Sequence, residues 1–194
     1  LWNLKAPLYH LFRKPWPLSY IHKRERRNIL ELLAKIPPQT GLGLDLGCGS
    51  GESLPLAPRG LTMFGIDASY KMARLTQTKH QVPVMVAGAT ALPLRPRSCA
   101  YVMAIGLLEY LADISAFFSE CSAVLQHGGY LLVTSSPAGA FTTGRKIGGA
   151  TIFSRTAQEV IAYARQHGLD CIAVKTFFPQ EAFLLKKIGN KQQL

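Results

Sequence analysis

Gly43-Leu44-Asp45-Leu46-Gly47-Cys48-Gly49-Ser50-Gly51 is the stretch that most restricts what this chain can fold into. The apolar run Leu42 to Leu46 reads as a buried strand, and glycines at 47, 49 and 51 then let the backbone turn sharply and bring its amides close to a ligand. A strict dinucleotide fingerprint counted from Gly47 needs a glycine at 52, where Glu52 stands; counted from Gly49 it needs one at 54, which is Leu54. No Gly-Lys-Ser/Thr follows, so a phosphate loop is excluded. The chain has instead Asp45, two residues before the first glycine, and Asp67, which closes the next apolar run, Leu61 to Ile66. An acid at the end of such a strand can accept both hydrogen bonds of a ribose diol.

Asp45-x-Gly-x-Gly-x-Gly together with Asp67 resembles motif I and the acidic tip of strand two in class I S-adenosylmethionine (SAM)-dependent methyltransferases. The resemblance covers about residues 42 to 187. It implies a Rossmann-like, doubly wound α/β fold: a mostly parallel seven-stranded sheet with an antiparallel last strand. Residues 1–40 are expected to form an N-terminal helical cap and residues 41–194 the SAM-binding domain, as one structural unit. The implied donor is SAM, with S-adenosylhomocysteine as product and no metal. Cofactor contacts are expected from Asp45, Gly47, Cys48, Gly49, Gly51, Asp67, Ala68, Gly88, Ala89 and Gly106.

The periodicity beyond the glycine loop supports alternating strand and helix. Pro55 and Pro58 predict a brief or irregular helix over Glu52 to Arg59, its N-terminus offering amides to the ligand's carboxylate. Ser69 caps a helix to about Lys79, and Val82 to Val86 reads as strand three. Ala87 to Leu94, then the run Cys99 to Ile105, resembles the stretch that holds adenine, with two departures: the usual acids align with Gly88 and Ala100. Asp113 caps a helix to about Leu125, and Gln126-His127-Gly128-Gly129 turns into a strand over Tyr130 to Thr134. Thr156 and Glu159 spell a capping box for a helix to about His167. Cys171 to Phe178 and Ala182 to Lys187 read as a closing hairpin around Pro179-Gln180.

Gly106-Leu107-Leu108-Glu109-Tyr110-Leu111 falls at the carboxyl end of strand four and resembles the segment flanking the methyl-transfer site in small-molecule members. The Asn/Asp-Pro-Pro-Tyr/Phe motif of amino-group methyltransferases is absent. Candidates for the acceptor pocket are Tyr9, Tyr20, Glu109 and Tyr110; the catalytic group itself stays unassigned. Glu109 reads equally as a substrate-orienting group or base and as a cap or solvated surface residue. The long Gly/Thr-rich connection from Ser136 to Ile152 reads as a lid, a binding loop or a small hairpin.

Lys and Arg total 22 against 11 Asp and Glu, a net charge of +11 that favours polyanionic partners. The basic residues crowd into residues 1–40, where Lys23, Arg24, Arg26 and Arg27 lie in the first half of a helix expected over about Ser19 to Lys35. Two readings of this cap stand side by side: a lid on the sheet, or a lid that also dips into an anionic membrane surface. The whole-chain look is similar to ubiquinone/menaquinone C-methyltransferases and phospholipid N-methyltransferases. That implies a small-molecule or lipid acceptor. An RNA methyltransferase is the alternative that charge favours and that no RNA-binding appendage supports; a non-catalytic SAM-binding protein is the alternative motivated by Gly88 and Ala100. Four scattered cysteines without a C-x-x-C point to a reducing, cytoplasmic setting, peripheral to a membrane if the cap binds one. No apolar run approaches the roughly 20 residues of a membrane span. Beginning at Leu1, the chain is expected to have lost a segment before it.

Overall fold

The computed structural model describes residues 18–139 and 151–189. Seven strands form one sheet in the order β3-β2-β1-β4-β5-β7-β6, where β1 is Gly41–Leu46, β2 Leu61–Asp67, β3 Val84–Val86, β4 Cys99–Ala104, β5 Leu125–Ser135, β6 Leu169–Phe177 and β7 Gln180–Lys187. Neighbours from β3 to β5 are parallel, and β7 runs antiparallel between β5 and β6. The final strand is therefore antiparallel as expected, but it is inserted into the sheet rather than added at its edge. Its run Ala182-Phe183-Leu184-Leu185 is fully buried, which suits an interior strand covered on both faces.

The helices are α1 (Leu18–Leu33), α2 (Tyr70–His80), α3 (Ile114–Val124) and α4 (Ala157–Gln166). Their starts follow side-chain chemistry visible in the sequence. Ser69 Oγ accepts from the Met72 amide at 3.3 Å, Asp113 Oδ1 accepts from the Ala116 amide at 2.9 Å, and Thr156 with Glu159 closes a reciprocal box. The segment after the glycine loop contains a single 3₁₀ turn, Leu54–Leu56, with Pro55 inside it. The expected amide-donating helix N-terminus is thus absent there. Strand β5 begins at Leu125, directly after α3, and runs through Gly128 at φ +77° instead of following a free turn.

Alternation along the central strands separates two cores. Leu44, Leu46, Val102, Leu131 and Val133 meet Phe117 and Phe118 of α3 and Val160 and Ala164 of α4. Their neighbours in sequence, Tyr101, Met103, Tyr130 and Leu132, meet Ile29, Leu32 and Leu33 of α1 with Leu54 and Leu56. The apolar stripe of α1 is therefore spent on the sheet. Lys23, Arg24, Arg26 and Arg27 face solvent, with Tyr20 61% and Leu30 44% exposed beside them. Glu31 pairs with Lys175 of β6 and pins this helix to the antiparallel end of the sheet. Among the described residues, no helix is long and apolar enough to cross a membrane.

Candidate functional site

The strand order reverses between β1 and β4, and in open α/β sheets the crevice outside the carboxyl ends of the strands at such a point is where ligands bind. The topology brings there Gly47 to Gly51 from β1, Asp67 and Ala68 from β2, Gly88 and Ala89 from β3, and Gly106 to Tyr110 from β4. These sequence-predicted positions share one edge of the sheet. Tyr20 stands exposed on α1, outside this group, and Tyr9 lies outside the described residues.

The glycine loop is held by backbone and acid together. Gly47 and Cys48 amides both donate to Ile66 O, at 2.7 and 3.1 Å, so the chain folds back over the end of β2. Gly49 N donates to Asp67 Oδ2 and Ser69 N to Asp67 Oδ1, each at 2.8 Å. The Asp67 carboxylate thus ties the loop to the start of α2 while each oxygen keeps a lone pair for another donor. Thr76 of α2 closes the frame by donating to Gly49 O at 2.7 Å. Glycine is required at 47 and 51 on two grounds. Both have positive φ, +71° and +79°, and a Cβ would strike Leu107 or His80. At Gly49, Gly88 and Gly106 a side chain would meet nothing closer than 3.9 Å. Open space therefore lies over three of the four strand ends.

Two predicted contacts change role once burial is seen. Cys48 is buried and its thiol lies against Gly65, where a Cβ would come within 2.8 Å of Sγ. Only its backbone can serve a ligand, and burial pushes the thiol up to about 12, with Asp45 and Asp67 adding to the rise. Asp45 is fully enclosed beneath the loop, on the α1 side of β1. It accepts the Ser53 hydroxyl at 2.6 Å, and burial first, then the charge of Asp67, raises its carboxyl to about 7. Burial also raises Asp67, against the lowering effect of its two amide donors. Ala100 sits inside β4, 4% exposed, so an acid there would be buried rather than presented to adenine.

The turn after β4 is braced by Glu109, which the sequence singled out, and by Thr134 and Arg155, which it did not. Glu109 is 1% exposed, neither cap nor solvated surface, and accepts from Ser136 Oγ at 3.2 Å, joining the ends of β4 and β5. Its backbone oxygen accepts from Phe153 N at 2.8 Å. Arg155 donates to the carbonyls of Leu108, Leu111 and Ala112 at 3.1, 2.5 and 3.0 Å, so its guanidinium holds the whole turn after β4. Thr134 Oγ1 accepts from Gly106 N at 2.7 Å and fixes the turn's first residue. Tyr110 is half-buried. A cavity of about 460 Å³ lies beyond this brace, among Asp113, Ser115, Arg155, Glu159 and Tyr163, and does not include the glycine loop. Arg145 and Lys146 of the long connection lie outside the described residues.

The donor set suits a nucleoside with a cationic tail. Asp67 offers lone pairs at the tip of β2, the space over Gly49, Gly88 and Gly106 admits a ligand against bare backbone, and Asp45 adds a buried acid below. Among the described residues no group of His, Cys, Asp and Glu is arranged to hold a metal ion.

Comparison with known proteins agrees with this geometry. A family profile described as methyltransferase domain matches residues 44–133, from β1 to β5. The chain is 29% identical over 136 residues to a ubiquinone biosynthesis O-methyltransferase of Bradyrhizobium sp. (strain ORS 278), covering 67% of this chain and 53% of that protein. It thus spans about half the length of the curated relatives it matches. Among solved structures it is similar to a chain of the complex between the Haloferax volcanii Trm112 methyltransferase activator and a methyltransferase. That match has a TM-score of 0.78, 16% identity, and coverage of 97% of this chain and 98% of the other. It is also similar to magnesium protoporphyrin IX methyltransferase from Synechocystis PCC 6803 with bound S-adenosylhomocysteine, with a TM-score of 0.70, 20% identity and coverage of 89% and 88%.

Proposed function

We propose that the chain, whose residues 44–133 match a methyltransferase domain, is a class I SAM-dependent methyltransferase that methylates a hydroxyl oxygen of a small organic acceptor. The observation that carries the donor half is the Asp67 carboxylate, bonded to the amides of Gly49 and Ser69 at the mouth of an open cleft. On this reading Asp67 takes the ribose diol on its remaining lone pairs. Backbone at Gly47, Gly49 and Ala68 lines the donor, and Gly88 with Ala89 receives the adenine through backbone and apolar contact. Gly106 leaves room where donor and acceptor meet.

SAM supplies a methyl group on a sulfonium, and its transfer demands alignment and exclusion of water more than proton chemistry. Glu109, Ser136 and Arg155 perform the alignment by holding the turn after β4, and Tyr110 is the residue assigned to touch the acceptor. An acidic hydroxyl needs little deprotonation, which suits a site whose buried carboxylate is already bonded within the protein. The likeness to enzymes named ubiquinone biosynthesis O-methyltransferases supports oxygen as the acceptor atom; the C- and N-methylating resemblances read from the sequence remain outcomes of the test.

Thermal melting with S-adenosylhomocysteine and with NAD checks the donor half. The expected result is stabilisation by the first alone, and loss of most of that shift in Asp67→Ala, where a charge-assisted contact worth about 1.5–3 kcal/mol disappears. Labelled-methyl transfer from SAM into fractionated cell extract checks the acceptor half. Label in RNA or protein, or in no fraction, sinks the small-molecule assignment.

A second reading concerns partners: the outward basic face of α1, with Tyr20 and Leu30 exposed among Lys23, Arg24 and Arg27, supports peripheral contact with an anionic membrane. Because the apolar stripe of α1 is buried on the sheet, that contact is electrostatic rather than insertive.

A further inference from the structure

Two buried oxygens at the carboxyl edge of the sheet, Ser135 Oγ and Glu181 Oε2, have no hydrogen-bond partner among the described residues. They belong to facing residues. Ser135 ends β5, Glu181 lies at the start of β7, and the antiparallel register pairs the two. Alternation puts both side chains on one face, the face on which Val133 and Phe183, two positions inward on each strand, meet α3 and α4. Opposed residues on one face hold their Cβ atoms about 5 Å apart, within reach of a serine–glutamate hydrogen bond. These two do not make one. Ser135 is 1% exposed, so bulk solvent does not serve its hydroxyl. Glu181 is half-buried and straddles the edge: Oε1 accepts from Thr176 of β6 at 3.4 Å on the exposed side, while Oε2 is enclosed. Partnerless buried polar atoms are few in folded proteins, and two on opposed residues mark a place kept for a third group.

The surroundings say which group. Ser136, the next residue, carries the bond to Glu109 that braces the turn after β4, and the β6–β7 hairpin brings Phe178, 66% exposed, to the same edge. A carboxylate only accepts, whereas a hydroxyl both donates and accepts. One ligand hydroxyl therefore completes the pair, accepting from Ser135 and donating to Glu181; an ammonium would leave the Ser135 proton without an acceptor. We propose that Ser135 and Glu181 form a specificity site for the acceptor, binding a hydroxyl other than the one that is methylated. The inference rests on the small-molecule methyltransferase reading above and deepens it. The acceptor carries at least two hydroxyls, one held between β5 and β7 while the other faces the donor.

Labelled-methyl transfer from SAM tests this with the full chain, Ser135→Ala, Glu181→Gln and the double variant, each on serial dilutions of the small-molecule fraction of cell extract. Half-saturation in either single variant is expected to need extract about tenfold more concentrated, at an unchanged plateau rate. The double variant is expected to match the singles, because both contacts serve one group. Affinity for S-adenosylhomocysteine stays the same in all four proteins. Acetylation of the labelled product before mass spectrometry is expected to find a hydroxyl still free. Unshifted saturation curves, or a product with no hydroxyl left, overturn the proposal while leaving methyl transfer intact. No transfer by the unaltered chain overturns the underlying reading itself. Melting without ligand decides independently of activity. Glu181→Gln keeps an oxygen for Thr176 and is expected to melt at the same temperature or higher; a fall would reveal a bond within the fold and overturn the proposal.

Discussion

At the scale of single residues, burial decides what each acid does. Asp45 and Asp67 are 22 positions apart and read alike in sequence, yet one lies under the glycine loop and the other at its rim. The enclosed one carries a stability consequence. A carboxyl whose folded-state pKa lies above its unfolded value binds its proton more tightly when folded. The cost of burying Asp45 is therefore absent below about pH 4, grows as pH rises, and is complete above about 7. That cost is on the order of 4 kcal/mol at most. Asp45→Asn is expected to raise the melting temperature of the ligand-free protein at pH 8 and to change it little at pH 4.5. An equal shift at both values would show that the gain is not electrostatic. Gly51 illustrates the complementary case, in which absence of a side chain is the function. At φ +79° and against His80, Gly51→Ala strains the backbone and the contact together, so weaker S-adenosylhomocysteine binding and a lower melting temperature are expected in the same variant.

Among elements, the turn after β4 shows how a loop is made rigid. Its backbone carbonyls at Leu108, Leu111 and Ala112 point to one guanidinium, and Arg155 sits just before α4, more than 40 positions away. Arg155→Ala leaves those carbonyls without their donor and is expected to cost about 1.5–3 kcal/mol. Hydrogen exchange is the discriminating measurement: the amides of Tyr110 and Leu111 should exchange faster while those of β4 and β5 hold. Slower transfer with unchanged S-adenosylhomocysteine affinity would follow if the turn serves the acceptor side. The boundaries of most elements were legible in the sequence because capping and hydrophobic period are local signals. Ser69, Asp113, Thr156 and Glu159 cap as read. After β1 the brief, irregular helix expected from Pro55 and Pro58 is a single 3₁₀ turn, and what failed there is only the amide-donating helix N-terminus, because the prolines deny the amides an α-helix needs.

For the molecule as a whole, the basic cluster that the described residues leave in water is Lys23, Arg24, Arg26 and Arg27 of α1. The net charge of +11 and the outward face of α1 predict sedimentation with anionic vesicles at low salt, weakening as salt shortens the Debye length below about 10 Å; neutral vesicles should leave the protein in solution. Binding that persists in high salt would point to insertion instead, which the buried stripe of α1 argues against. The amino-acid sequence by itself determined the glycine turn, the acid that closes β2, the helix caps and the alternating strands, because positive φ, capping and periodicity are properties of a few adjacent residues. Only the tertiary structure decided that β7 enters between β5 and β6, that Glu109 is buried against Ser136, that Arg155 clasps a distant turn and that Asp45 is sealed from water. Those outcomes depend on which surfaces meet across the sheet, and no short stretch of chain carries that information.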